Sequence, residues 1–147
     1  MTIFNSLNTS ASALTAQRLR MDVVSSNIAN AETTRGKFVD GEWQPYQRKM
    51  VEIKEKDSFS SMLSRAGTGQ AGSGVQVTKI SDDSSPFKLV YDPGHPDADA
   101  QGYVKMPNVD PLKEMTDLIS STRSYEANVT VFNASKNMLL KALEIGK

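Results

Sequence analysis

Three features of the sequence predict a mainly α fold, with N- and C-terminal helices paired as an antiparallel coiled coil and a small β-rich insertion between them. Leu118, Tyr125, Phe132 and Leu139 recur at every seventh residue near the C-terminus. Leu7, Leu14, Met21 and Ile28 do the same near the N-terminus. Most of the glycines and prolines collect between these stretches. Apolar residues repeating by heptads specify a helix that winds against a partner, and two such helices in one chain bury their seams most economically on each other. The expected division is 1–35 and 108–147 for the helical part and 36–107 for the insertion.

The first helix is expected to begin near Thr2 or Asn5 and to end near Ala31, where Thr33-Thr34-Arg35-Gly36 breaks the pattern. It carries eight Ser/Thr and four Asn within 31 residues. These side chains compete with the backbone for hydrogen bonds, so the isolated helix should be marginal. Its small polar faces also suit close approach by neighbours. In the insertion, Tyr46–Lys56, Val75–Ile80, Phe87–Tyr91 and Tyr103–Met106 read as strands. Asp92-Pro93-Gly94 reads as a turn, and Gly67–Gly74 as a flexible loop. The apolar residues of this segment make only a thin core, which needs support from neighbours. The last helix has Asp110 as N-cap, Pro111 at its first position and Gly146 as its stop. At the α-helical rise it would be about 50 Å long, too long to wrap into the core of a small globule. A second row, Met115, Val129 and Leu143, is expected beside the first, interrupted by Thr122 and Lys136.

Composition excludes several function classes. Lys+Arg and Asp+Glu balance at 17 each and no basic stripe stands out, so no nucleic-acid partner is expected. The absence of cysteine removes disulfides, thiolate metal sites and cysteine nucleophiles together. No segment reaches the roughly 18 consecutive apolar residues of a membrane span. The amino terminus lacks a basic region followed by an apolar one, so no cleavable secretory signal is expected.

The one stretch that could argue for chemistry is Asp92-Pro93-Gly94-His95-Pro96-Asp97-Ala98-Asp99. A histidine among carboxylates suits a divalent ion, but the prolines enforce turns and no fixed ligand spacing is recognisable. Asp82 and Asp83 are adjacent and would point oppositely on an extended chain. No catalytic, cofactor-binding or metal-ligating residue is expected. The Leu118–Leu139 row reads either as a seam within the chain or as one between chains, with Leu112, Ile119 and Leu140 on the outer side. Asn27 and Asn30 read as helix-end residues. Glu126 beside Arg123 reads as a solvated pair one turn apart.

Ser25-Ser26-Asn27-Ile28-Ala29-Asn30-Ala31 resembles the amino-terminal signature of the flagellar basal-body rod and hook (axial) protein family. Tyr125-Glu126-Ala127-Asn128, followed by Phe132, Lys136, Met138 and Leu139, is similar to that family's closing helix. Tyr103–Asp110 and the ending Ala142–Gly146, together with the short length, resemble its proximal-rod members. The match covers both termini, about half of the chain. One departure is visible: family members commonly carry a proline soon after the Asn-rich block, where this chain has Thr33-Thr34-Arg35-Gly36.

The resemblance implies an extended, non-enzymatic subunit of a helical assembly, exported by the flagellar type III system to the periplasmic rod, where it transmits torque from motor to hook and filament. It implies no cofactor. The implied partners are other rod subunits and copies of itself, with the surrounding basal-body ring and export-gate proteins as further neighbours. The interface and coiled-coil residues expected are the heptad positions Leu7, Leu14, Met21, Ile28, Met115, Leu118, Tyr125, Val129, Phe132, Leu139 and Leu143, to which the resemblance adds Asn27, Asn30 and Glu126. The competing readings are another axial rod subunit, a generic coiled-coil adaptor and a small cell-wall hydrolase.

Overall fold

The computed structural model describes residues 2–39, 41–56 and 74–145. Helix α1 runs Thr2–Ala29 and helix α2 runs Pro111–Ile145. Between them lie β1 (Lys37–Val39), β2 (Glu42–Gln44), β3 (Lys49–Glu55), β4 (Val75–Asp82), β5 (Lys88–Tyr91) and β6 (Tyr103–Met106). The strands form three two-stranded sheets, β1 with β2, β3 with β4 and β5 with β6. The loop expected at Gly67–Gly74 and the stop at Gly146 lie outside the described residues, apart from Gly74.

The chain divides into two compact units, one of residues 1–21, 52–79 and 120–147, the other of residues 22–51 and 80–119. In the first, Ser10 and Ala16 of α1 and Ser121 and Ser135 of α2 are buried, while Leu7, Leu14 and Met21 are half-buried. Thr122 Oγ1 donates to Met21 Sδ at 3.5 Å. Gly74 sits against α1 with φ +136°, and a Cβ there would meet Ser12 Oγ at 2.6 Å. The same hydroxyl accepts the Val75 N–H at 3.1 Å, anchoring the start of β4.

The hydroxyl-rich helix is compatible with these sequences because the side chains turn back on their own backbone. Thr9 donates to the Asn5 carbonyl, Ser12 to Thr9 and Thr15 to Ala11. That satisfies the hydroxyls without drawing the backbone out of the helix.

In the second unit, α1 contributes the buried Val23, Val24 and Asn27. Val104, Val109 and Pro107 fill the space beneath β6 and the chain leading into α2. β5 and β6 pair antiparallel with Val90 opposite Val104 and Tyr91 opposite Tyr103, the two tyrosine rings 5.3 Å apart edge to face. Gly102 turns this hairpin at φ +83°, and a Cβ there would meet Tyr91 Cε2 at 3.0 Å. α2 starts as its sequence specifies: Asp110 Oδ1 accepts the Leu112 N–H at 3.1 Å.

Three expectations need correction. A β1–β2 hairpin, pairing Phe38 with Trp43, precedes the strands read from the sequence. Tyr46–Arg48, Lys56 and Phe87 lie outside the strands assigned to them. The second row of α2 is also not the expected one, since Met115 and Leu143 are 54% and 69% exposed. The residues turned inward are Glu114, Leu118, Ser121, Tyr125, Asn128, Phe132, Ser135 and Leu139, buried or half-buried and separated alternately by four and three. One row is apolar; the other is polar, and small at Ser121 and Ser135. Short side chains at those positions let a neighbouring backbone come close, which leaves the flanking Met115 and Leu143 outside the contact.

Candidate functional site

The most constrained group of side chains in the second unit surrounds Glu114, whose exposure is 0%. A buried carboxylate is costly unless its lone pairs are matched by cations and donors. Arg48, in the segment entering β3, supplies Nε at 2.7 Å and Nη2 at 2.6 Å from Glu114 Oε1. Asn27, near the end of α1, donates from Nδ2 to Glu114 Oε2 at 2.9 Å. Arg48 also reaches Asp83 at 3.4 Å and Asp117 at 3.8 Å. Its N–H donates to Asn108 Oδ1 at 2.8 Å, and Asn108 Nδ2 donates to the carbonyls of Asp83 and Ser85. Segments from near both ends of the chain and from its middle therefore meet in one polar cluster.

Burial opposes the charge on Arg48, but the bonds and attraction of Glu114 and Asp83 outweigh it and hold the guanidinium pKa above its usual value. Asp83 is held below the usual carboxylate range, first by the Ser85 hydroxyl, then by the Ser85 N–H and Arg48. Asp97 is lowered chiefly by Arg35, with Thr34 adding a hydrogen bond of 2.7 Å. The sign follows. Carboxylates with depressed folded-state values contribute stability that is complete above their unfolded value, near 3.9, and that disappears as pH falls through the folded one. Stability should be insensitive to these two groups from neutral pH to about pH 5 and fall below about pH 4. Acid titration followed by circular dichroism checks this. Asp83→Asn should flatten that fall more than Asp97→Asn, because the Arg35–Asp97 pair is exposed and screened by solvent.

The His95 loop is organised by its own groups. Asp92 Oδ1 accepts the Gly94 N–H, Asp99 Oδ1 accepts those of Gln101 and Tyr103, and His95 Nδ1 accepts that of Asp97. Among the described residues, no cluster of three or more His, Asp or Glu side chains is arranged to hold a metal. Asp82 and Asp83 are engaged separately, by Lys37 and by Arg48.

The outward surface carries many large apolar side chains. In the second unit α2 exposes Leu112, Met115 and Ile119, spaced by three and four. In the first unit the same helix exposes Val131, Met138 and Ile145, with Ala127 one turn before Val131 and Ala134 between Val131 and Met138 on the same stripe. Each group is spaced to pack against another helix, and the two lie on opposite flanks of the row turned inward. Trp43 is also exposed, edge to face with Phe38 at 5.2 Å, between open concavities of about 300 Å³ lined by Phe87 and Leu89 on one side and Asp97 and Tyr103 on the other.

Of the residues singled out from the sequence, Asn27 is buried, and Leu7, Leu14, Met21, Ile28, Asn30, Leu118, Tyr125, Val129, Phe132 and Leu139 are half-buried. Met115, Glu126 and Leu143 are exposed. Sequence reasoning passed over Glu114, Ser121 and Ser135, and it read Arg48, interleaved with other charges, as part of a solvated strand face, whereas its side chain is only 14% exposed. Glu114 looked like an ordinary first-turn acid, and its partners are 66 and 87 residues away. The hairpin at Trp43 had a signal, since Asp-Gly between apolar residues favours a tight turn.

Comparison with known proteins places both ends in one group. Residues 7–36 match the model described as flagella basal body rod protein, and residues 100–145 match that of the flagellar basal body rod FlgEFG protein C-terminal. The chain is 69% identical to the flagellar basal-body rod protein FlgC of Bacillus subtilis (strain 168) over the full length of both. It is 46% identical to that of Borreliella burgdorferi over 99% of this chain and 98% of the relative. It is 45% identical to that of Escherichia coli O6:H1 over the full length of both. Among the described residues, no helix is long and apolar enough to cross a membrane.

Proposed function

The chain belongs to the FlgC family of flagellar basal-body rod proteins, and from that premise we propose how it builds the shaft and carries torque. It is a structural subunit of the flagellar basal-body rod. In the proposal, its work is mechanical and needs no catalytic residue. The terminal segments 1–35 and 108–147 lie together lengthwise as an antiparallel coiled coil, and 36–107 projects as an insert. Two contacts support the pairing: Met21 with Thr122, and Asn27 with Glu114. Subunits then stack helically in the proximal rod, on copies of this chain and on other rod proteins, with ring and export-gate proteins as outer neighbours. A contact between unlike faces that does not close generates such an open assembly.

The observation that carries the proposal is the pair of faces on α2. One row is turned into the chain, and exposed apolar side chains are left outside it on both of its flanks. Leu118, Tyr125, Phe132 and Leu139 serve the first role. Leu112, Met115 and Ile119 on one flank, and Val131 and Met138 on the other, serve the second, with Glu126 and Leu143 on the same side as Ile119 and Met115.

Deleting the chain tests the reading. Cells should form basal bodies that stop short of a rod and should not swim, and supplying the chain should restore both. Rods of normal length without it would contradict the proposal.

A further inference from the structure

Asn27 uses its whole hydrogen-bonding capacity while only 1% exposed. Oδ1 accepts the Lys49 N–H at 2.9 Å and the Tyr46 hydroxyl at 3.0 Å. Nδ2 donates to the Lys49 carbonyl at 2.9 Å and to Glu114 Oε2 at 2.9 Å. The two bonds to Lys49 are those a neighbouring strand would make: one accepted from N–H and one donated to C=O, at the first residue of β3. A helix side chain thus stands in for a strand at this point, and only a carboxamide offers donor and acceptor in one planar fork of that size.

The rest of α1's inward surface in this unit is the buried Val23 and Val24, with Ser26 and Ile28 half-buried, and it is mostly apolar. Such contacts are non-directional and would tolerate rotation or a slide by one turn. A misplaced helix would leave the Lys49 N–H, the Lys49 C=O and Glu114 Oε2 without their partners at once. Each unmet buried group disfavours the wrong arrangement by about tenfold or more.

We propose that Asn27 is a polar latch that selects a single seating of α1 in the second unit, closing on β3 and α2 together or not at all. Buried polar groups are best attested in this role, fixing register where apolar packing alone leaves it open. The latch takes its parts from residues 27, 46–49 and 114, so no local stretch of chain can close it. It is a positioning device and does not depend on what the subunit later binds.

The test uses the full-length chain with three variants. Asn27→Asp keeps size, shape and acceptors but loses both donated bonds and sets a second carboxylate against Glu114. The groups facing it are Tyr46, Lys49, Arg48 and Glu114, with Asp83 and Asp117 behind Arg48. One guanidinium against three existing carboxylates cannot absorb another charge cheaply. At pH 8 the folding constant from urea unfolding should fall by about a hundredfold or more. Two carboxylates at hydrogen-bond distance can share a proton, so the deficit should shrink as pH is lowered towards 5. Asn27→Leu should show a comparable loss that does not recover with acid.

Combining Asn27→Asp with Glu114→Gln restores a donor facing position 27. It should recover at least about a tenfold share of the loss at pH 8 and remove its pH dependence. In the wild-type chain, hydrogen exchange should find the Lys49 amide among the slowest of the second unit. Any of four results would overturn the latch: a folding constant for Asn27→Asp within about threefold of wild type, a deficit equal at pH 5 and pH 8, a double variant no better than the single one, or an unprotected Lys49 amide in the wild type.

Discussion

Replacing Arg48 with methionine should lower the unfolding free energy by about 3–5 kcal/mol, the cost of leaving a buried carboxylate without its cation. The effect is large because Arg48 holds Glu114 with two nitrogens, at 2.7 and 2.6 Å, and Glu114 has no access to solvent that could replace them. Methionine keeps most of the aliphatic stem, so lost packing contributes little. Two consequences separate this account from general disruption. Adding Glu114→Gln to Arg48→Met should return part of the loss, because a neutral amide no longer needs the guanidinium while still accepting from Asn27. Glu114→Gln alone should cost less than Arg48→Met, since it leaves Arg48 paired with Asp83. Urea unfolding of the full chain measures all three. A loss below about 1 kcal/mol for Arg48→Met would mean that the cluster is wetter and weaker than its geometry implies.

Val131→Asp should abolish swimming while changing the stability of the isolated chain by no more than about 0.5 kcal/mol. Val131 lies on the outward stripe of α2, 52% exposed, between Ala127 and Ala134. A carboxylate there is hydrated in the free subunit. Once a neighbouring helix covers the stripe, the same charge loses its water without gaining a partner, which costs several kcal/mol per contact. Phe132, one residue away, is half-buried within its own chain. Phe132→Asp would therefore damage folding and assembly together and could not separate them. The pair to compare is Val131→Asp with Val131→Ala, the second expected to swim. Normal swimming by Val131→Asp would remove this stripe from the assembly surface.

How legible the fold was depended on which kind of residue carried it. Both helices could be read because leucine, tyrosine and phenylalanine at seven-residue spacing declare a face. The inward partners of that row, Ser121 and Ser135, could not, since hydropathy treats serine as outward. They are buried because they are small, a property that matters only when another backbone is close. Sequence periodicity therefore assigned Met115 and Leu143 to the inside, although Glu114 and the serines occupy it.

The polar cluster was hidden for a different reason. Asn27 was singled out through a family signature, but the Arg48 and Glu114 it works with are far away in sequence and look like ordinary charged residues. In the insertion, β6 could be read to its exact ends, while the edges of β3 and β5 drifted by one to three residues. Strand ends are set by where pairing stops, which a single strand's sequence does not encode.

The central claim is that α2 works twice, through an inward row covered by its own chain and through exposed apolar flanks reserved for neighbouring rod subunits. A near-atomic reconstruction of the assembled rod tests it most directly, by the exposure of Leu112, Met115, Ile119, Val131 and Met138. The account predicts that each is covered by residues of another subunit, while Leu118, Tyr125, Phe132 and Leu139 keep their contacts within the chain. If the outward stripe faces water in the rod, or if the inward row is what neighbouring subunits hold, the account is wrong.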